Sequence, residues 1–320
     1  MKAAVVESFE DPPSYRDFLA PIARAGEVAV LVRAAALSPL VKMIAAGKHY
    51  SGETALPLVP GVDGVGRLAD GCRVYFAFPR APYGSMAEQT VVPEAFIVEL
   101  PDDVDDVTAA AIANPGMSSW AALTQRAKLQ AGESVLVNGA TGGAGRLAVQ
   151  IAKHLGARRV VATGRTRASV EPLIALGADA VVALDKEPDA LRDAFRQEVS
   201  RGVDVVLDYL CGSSVERFIE ATAGHGSDAG ERRVRLVQIG SLAGPTMSLP
   251  ASALRSSGLE IMGSGLGSVP KVRLIDAIRG VMRAIVPAGL TVAADAVPLS
   301  EVASAWGSGT ANRVVFTMGS

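Results

Sequence analysis

Cysteine is nearly missing: Cys72 and Cys211 are the two in 320 residues, far apart and without metal-type spacing. That excludes a disulfide framework and fits a reducing compartment, with the cytoplasm as the expectation. Excess charge of one sign is missing too. The formal net charge is -2 and no basic cluster stands out, which excludes a surface built for nucleic acid, where Lys and Arg contacts to phosphate dominate. No apolar run reaches the roughly 18 residues that a bilayer span needs. Acidic residues follow the opening Met1-Lys-Ala-Ala-Val-Val-Glu7 too closely for a secretory apolar region. Apolar surface, by contrast, is plentiful. Hydrophobic residues make up 49% of the chain and charged residues 20%, a composition that builds a sizeable core and argues against disorder. The length allows two ordinary domains, or one large domain with a returning segment.

Three textures follow one another along the chain. Residues 1–115 are rich in Pro and Gly, with short β-type runs such as Glu27 to Arg33 and Ala87 to Val92. Turn signals at Pro57, Pro60-Gly61 and Ala81-Pro82 separate them, so the stretch reads as an irregular β-rich domain. From about 130 to 265, apolar strand-like runs recur at Ser134–Asn138, Val160–Thr163, Ala180–Leu184, Val203–Leu207, Val234–Ile239 and Leu259–Met262. The first four gaps between them can hold helices. Leu147, Ile151 and Leu155 share one helical face with Gly156 as a stop, and the next helix ends the same way at Leu176-Gly177. Continuous apolar strands alternating with amphipathic helices specify a parallel sheet covered on both faces. The last stretch carries a helical pattern from Lys271 to Ile285 and a closing β-run, Arg313 to Thr317. It is too short for a domain of its own and is expected to complete the first one. The expected division is therefore 1–115 plus 271–320, with 116–270 inserted.

One segment carries a chemical signature. Val135-Leu-Val-Asn-Gly-Ala-Thr-Gly-Gly-Ala-Gly145 leads from a strand directly into a helix. A turn that lets backbone approach a phosphate needs residues without Cβ, and the helix N-terminus then offers unpaired N–H groups to a pyrophosphate. Thr141, Gly142, Gly143, Ala144 and Gly145 are the candidate contacts, with Ala140 standing where the first glycine of the fingerprint is usual. The bland alternative, a tight structural turn, loses ground because strand, helix and repeating units surround the motif as it requires. The second strand decides the cofactor. It ends Gly164-Arg165-Thr166-Arg167, where an NAD enzyme places Asp or Glu for the ribose 2′-OH. A missing acid and an adjacent guanidinium, which grips phosphate with paired donors, point to NADPH.

Three oxidoreductase classes compete for this unit. A short-chain dehydrogenase needs Tyr four residues before Lys, and none of Tyr15, Tyr50, Tyr75, Tyr83 or Tyr209 has it. A zinc alcohol dehydrogenase needs Cys and His ligands, yet Val62 stands where its Gly-His-Glu signature places the histidine, and no cysteine cluster exists. No metal is expected. The third class fits. Pro60–Gly66, Gly84-Ser-Met-Ala-Glu-Gln-Thr-Val-Val-Pro93, the Asn138–Gly145 turn with Gln150-Ile-Ala-Lys153, Val237-Gln-Ile-Gly-Ser241, Gly263-Ser-Gly-Leu-Gly267 and Arg313-Val-Val-Phe316 together resemble the zinc-independent, quinone oxidoreductase-like branch of the medium-chain dehydrogenase/reductase superfamily, over nearly the full length.

That resemblance implies an α/β fold: a Rossmann doubly wound parallel sheet inserted in a GroES-like β-rich catalytic domain, with the active site between them. It implies a homodimer through the last Rossmann strand, and it places Gly240, Ser241, Gly263, Ser264 and Leu266 near the nicotinamide. The sequence departs from the branch at Ser38-Pro39-Leu40-Val41, where Asn-Pro-x-Asp is common, and lacks a tyrosine near Leu184-Asp185. The activity expected is reduction of a quinone or activated alkene, for which the cofactor carries the hard step and the protein supplies orientation. Tyr50 is the candidate catalytic proton donor, against the alternative that it only lines the pocket. Ser118 is a candidate cofactor contact, or equally a helix N-cap before Trp120. His49, His154, His225 and Cys211 read as solvated or structural. A second function, a non-catalytic NADPH-binding sensor or scaffold, takes its support from the Ser38 to Val41 departure alone.

Overall fold

The computed structural model describes residues 1–48, 55–223, 232–309 and 312–319. The chain divides into two compact units, one made of Met1–Asn114 with Ile278–Ser320 and the other of Pro115–Ala277. Tyr50, His49 and His225 lie outside the described residues.

In the first unit β1 (Lys2–Val5) pairs with β2 (Ser14–Asp17). Strand β3 (Glu27–Ala36) is followed by α1 (Pro39–Ala45), then β4 (Asp63–Arg67), β5 (Arg73–Ala77), β6 (Gln89–Pro93) and β7 (Ile97–Glu99). Helix α2 (Asp106–Ala121) leads into the second unit. There β8 (Ser134–Asn138), α3 (Gly143–His154), β9 (Arg159–Gly164), α4 (Arg167–Val170), β10 (Ala180–Ala183), α5 (Pro188–Arg201), β11 (Val205–Asp208), α6 (Ser213–Thr222), β12 (Arg233–Gln238), α7 (Ala251–Arg255) and β13 (Gly258–Gly263) alternate. Helix α8 (Lys271–Ala284) returns the chain to the first unit, which closes with β14 (Ala294–Pro298), α9 (Val302–Trp306) and β15 (Arg313–Thr317).

The inserted unit is the parallel sheet the apolar runs require, with strand order β10-β9-β8-β11-β12-β13. Every pairing in it is parallel. Order reverses between β8 and β11, which is the topological switch point where such sheets take ligands at their carboxyl ends. Strands β8 and β11 are buried at every position, as they must be with helices on both faces. Leu136, Val161, Phe195, Val206, Phe218 and Leu236 belong to the core on one side. The stops read from sequence are left-handed glycines: Gly156 at φ 89° and Gly177 at φ 103°.

The split unit holds a seven-stranded sheet, β14-β15-β3-β4-β5-β7, with β6 on the free length of β3. Strand β15 pairs parallel with β14 and antiparallel with β3, so the end of the chain sits inside the sheet. Two sequence motifs explain each other here. Ser85 N and Met86 N donate to the Gly61 and Pro60 carbonyls at 3.2 and 3.0 Å. A Cβ on Gly84 would stand 2.3 Å from the Pro60 carbonyl oxygen, and one on Gly61 2.2 Å from Ser85 Oγ. These glycines are required by chains that touch.

Two readings change. The Asn114-Pro-Gly stretch lies where the two units divide, but no helix begins there: α2 runs straight through Pro115 and continues as a wide-turn segment from Ala122 to Ala127. Ser118 is therefore an interior helical residue whose Oγ donates to the Pro115 carbonyl at 2.9 Å; it is no N-cap. Pro115 leaves the Ala111 carbonyl without its helical N–H donor, while the Pro115 carbonyl itself accepts from the Ser118 and Ser119 hydroxyls. The departure at Ser38 has a local explanation: Ser38 caps α1, its Oγ accepting from Val41 N at 3.2 Å, with Pro39 in the first turn.

Candidate functional site

The glycine turn is shaped by contact as well as by conformation. Gly139 takes φ 89°, Ala140 N donates to the Thr163 carbonyl at 2.7 Å, and Arg146 Nε braces the turn by donating to the Thr141 carbonyl at 3.0 Å. A Cβ on Gly145 would lie 2.4 Å from the Gly139 oxygen and 2.6 Å from Ala140 Cα. Gly145 thus lets α3 press against the strand end. Gly142 and Gly143 are different: both are exposed, and nothing lies within 4 Å of a Cβ on Gly142. Gly142 is the N-cap, and no side chain caps the helix. The first N–H groups of a twelve-residue helix are therefore presented across an open glycine surface, which fits a pyrophosphate.

Gly164 closes β9 for a reason that sequence reading missed. A Cβ there would strike Thr141 Cγ2 at 2.4 Å and Val170 Cγ1 at 2.7 Å, so the residue lets the second strand pass beneath the turn. Arg165 follows, exposed, with no ion pair among the described residues. Its carbonyl accepts from Asp185 N at 3.0 Å. Arg167 is also exposed but pairs with Glu171 at 3.2 Å on the next turn. Thr166, between the two arginines, and Ser169, two residues beyond them, cap each other, which fixes the bend. The structure thus places Arg165 and Arg167 on one strand-end loop, with one guanidinium unengaged and the other partnered. An unengaged cation, no carboxylate at the end of β9, and an open glycine cradle fit a 2′-phosphorylated dinucleotide.

Across the switch point, Ser264 N donates to the Gln238 carbonyl at 2.9 Å, and a Cβ on Gly240 would meet the Tyr209 carbonyl oxygen at 2.7 Å. Gly240, Ser241, Gly263, Ser264 and Leu266 accordingly gather at the carboxyl ends of β12 and β13. Arg126 Nε donates to the Gly263 carbonyl at 2.7 Å, tying that loop down. Sequence reading overlooked the residues that organise this edge. Ser119, next to the chosen Ser118, meets the Tyr209 hydroxyl at 2.9 Å and the Ala144 carbonyl at 3.3 Å. Burial pushes the Tyr209 phenol up, with the Ser119 and Ser118 hydroxyls pulling the other way. Asn138 Nδ2 bonds Asp208 Oδ1 at 2.8 Å. Burial raises Asp208 as well, opposed by the Leu210 N–H, the Asn138 amide, the Cys211 N–H and the Gln238 amide. The signal was present: Asn138, Asp208 and Gln238 each end an apolar strand run with a polar residue.

In the split unit, Asp63 follows Val62. It is buried and accepts from the Tyr75 hydroxyl at 2.9 Å. Burial raises its carboxyl, countered by the Arg313 charge and by bonds from Tyr75 and Asn114. No group of three or more His, Cys, Asp or Glu side chains able to hold a metal occurs among the described residues. No described helix is long and apolar enough to cross a membrane.

A glycine-cradled switch point in a doubly wound sheet, inserted into a β-rich unit made from both chain ends, defines a two-unit nucleotide-dependent oxidoreductase. Comparison with known proteins narrows the class. A family model described as zinc-binding dehydrogenase matches residues 143–285. A quinone oxidoreductase of Lama guanicoe is 31% identical, the match covering 66% of each chain. A probable NADPH-dependent quinone reductase of Emericella nidulans is 28% identical over 96% of both. The quinone oxidoreductase of Thermus thermophilus, solved alone and with NADPH, superposes with a TM-score of 0.78 at 26% identity, over 99% of this chain and 100% of that one. The chain belongs to the medium-chain dehydrogenase/reductase superfamily, in its quinone oxidoreductase-like branch.

Proposed function

We propose that this protein is an NADPH-dependent reductase that transfers hydride, without a metal, to a quinone or an activated alkene such as an enone or enal. The observation that carries the reading is the unengaged Arg165 guanidinium at the end of β9, one strand from an open helix N-terminus. Relatives named as reductases of both acceptor kinds support it: quinone oxidoreductases, and an NADPH-dependent alkenal/one oxidoreductase of Arabidopsis thaliana that is 32% identical over 62% of this chain and 54% of its own. The fold alone does not choose the cofactor, since a structure described as an NAD-dependent alcohol dehydrogenase superposes with a TM-score of 0.81 at 27% identity. Arg165 does.

When bound, NADPH supplies the hydride. The chain's own groups bind and orient. Thr141 to Gly145 hold the pyrophosphate at the α3 N-terminus, Gly164 and Arg165 with Arg167 hold the ribose phosphate, and Gly240, Ser241, Gly263, Ser264 and Leu266 receive the nicotinamide. Ser118 and Ser119 act through Tyr209 and the Ala144 carbonyl, fixing the turn from behind. The split unit, taken as residues 1–114 with 278–320, provides the acceptor pocket. An acceptor that spreads the resulting negative charge over a conjugated oxygen needs no strong acid from the protein, and Tyr50 is the proposed donor where a proton is required. The protein acts in the cytoplasm as a homodimer formed along β13, a strand with one neighbour in its sheet.

The test is NADPH consumption, followed by its absorbance, against a panel of quinones and α,β-unsaturated carbonyls. Turnover with at least one acceptor is expected. NADPH binding in calorimetry with no turnover on any acceptor would return the reading to a sensor or scaffold.

A further inference from the structure

Helix α3 carries a cation at the end where a helix suits one least. Arg146 follows Gly145 in the first turn, beside the positive end of the helix dipole. No acidic residue stands in that turn to offset it. The carboxylates of the neighbouring elements are engaged elsewhere, Asp179 with Lys153 and Glu171 with Arg167. Arg146 has no ion pair among the described residues.

The side chain is nevertheless held in place. Arg146 is half-buried, and its Nε donates to the Thr141 carbonyl at 3.0 Å. That bond folds the guanidinium back toward the start of the helix, the direction helical side chains favour. It engages one of the five N–H groups of the fork. Both Nη groups are left without a protein acceptor and open to solvent. A tethered fork with its tip in the open is poised to receive an anion.

Thr141 joins this fork to the end of β9. A Cβ on Gly164 would lie 2.4 Å from Thr141 Cγ2. Gly139 N and Ala140 N bond Thr163 at 3.1 and 2.7 Å, so turn and strand end are in contact. Arg165 comes next in the chain, exposed. One unengaged guanidinium is thus held on the Thr141 carbonyl, and the other begins one residue beyond the glycine that Thr141 covers. Like charges gathered without a carboxylate repel until an anion joins them.

We infer that Arg146 is a second cation of the 2′-phosphate site, closing with Arg165 on the ribose phosphate of NADPH. The inference rests on the NADPH reading above and adds a specificity-determining residue to it. The pyrophosphate is served by the N–H groups that open α3 across Gly142 and Gly143. The tether on Thr141 carries the Arg146 fork off that surface and toward β9, whose end faces the 2′ position.

Brace and charge can be separated by substitution. The amide nitrogen of glutamine lies as many bonds from Cα as Nε of arginine. Arg146→Gln therefore keeps a donor for Thr141 and loses the charged tip, whereas Arg146→Lys keeps the charge and loses the brace. Wild type and both variants are titrated with NADPH and with NADH in a calorimeter. Arg146→Gln is expected to weaken NADPH about tenfold, the scale of one charge-assisted bond, and NADH by less than about twofold. Arg146→Lys is expected to keep the wild-type preference for NADPH within about threefold. Equal loss of both ligands in Arg146→Gln would put the fork on the pyrophosphate, and loss of neither would leave it a brace. Either result overturns the inference. Should Arg146→Gln not fold, Arg146→Lys decides alone, because a preference that vanishes there assigns the role to the brace. A wild type that binds NADPH no better than NADH, or binds neither, would instead reject the cofactor reading beneath it.

Discussion

Arg165 and Arg167 lie two residues apart on one loop, but their surroundings make them unequal. Arg167 commits its guanidinium to Glu171, an exposed pair one helical turn away, whereas Arg165 has no such partner among the described residues. A charge-assisted bond to phosphate is worth about 1.5–3 kcal/mol. Arg165→Ala is therefore expected to weaken NADPH roughly tenfold or more in calorimetry while leaving NADH within about twofold. Arg167→Ala should cost NADPH clearly less. Equal losses for NADPH and NADH at position 165 would remove Arg165 from the 2′-phosphate. At this scale sequence reading succeeded where chemistry is carried by type and position, as with Arg165. It missed Asp208, Tyr209, Ser119 and Gln238, because their importance arises from strands that are neighbours in space but distant in the chain. Glycine was legible only in part. Gly164 read as the place of a missing acid, yet what demands a glycine there is Thr141 lying on top of it.

Among the elements, strands were legible almost to the residue and α2 was not. Six apolar runs in the middle of the chain correspond to β8 through β13, since burial on both faces leaves little alternative to a continuous apolar stretch. In α2, Pro115 sat where a break would ordinarily be placed, yet the helix runs through it from Asp106 to Ala121, its burial on the path between the two units outweighing one lost backbone bond. The turn before α3 separates packing from binding. Gly145→Ala is expected to lower the melting temperature by several degrees, because overpacking a site whose nearest atoms are backbone costs about 1–3 kcal/mol. Gly142→Ala, built into open space at φ -76°, should leave the melt within about one degree and weaken NADPH, since its methyl group would stand on the phosphate side. The far end of α3 is anchored by Lys153, which bonds both oxygens of Asp179 at 3.0 and 2.8 Å. Burial alone would raise Asp179, but the Lys153 ammonium and the Val160 N–H outweigh it and hold the carboxyl below its ordinary value. A lowered folded pKa gives stability that is present above the unfolded value near 3.9 and lost as pH falls through the folded one. The gap in urea midpoint between wild type and Asp179→Asn should thus be open at pH 7 and close progressively below about pH 4.

For the whole molecule, the decisive question is what replaces the metal of related dehydrogenases. Val62 occupies the ligand position, and the neighbouring Asp63 is engaged with Tyr75. Dialysis against a strong chelator is expected to leave NADPH oxidation unchanged, and zinc addition should not raise it. A chelator-sensitive activity restored by zinc would show a site that the described residues do not contain. The division of the chain into a β-rich part and an inserted parallel sheet was visible in the change of texture near residue 130. The first boundary, expected after residue 115, falls after Asn114; the second, expected before 271, falls before Ile278, inside α8, because a helix that passes from one unit to the other leaves no Pro- or Gly-rich linker to read.

Strand β15 comes latest in chain order among the described elements, and its place is between β3 and β14. The opening 114 residues are therefore born with a gap in their sheet that nothing fills until nearly 200 more have been added. At translation rates of about 5–20 residues per second, that gap stays open for roughly 10–40 s. Meanwhile the inserted unit can finish folding, while β3 carries an unpaired edge of the kind that invites wrong partners. Stalling or truncation just before Arg313 should accordingly harm this protein far more than the loss of one five-residue strand would suggest, with aggregation of the nascent chain as the outcome to look for.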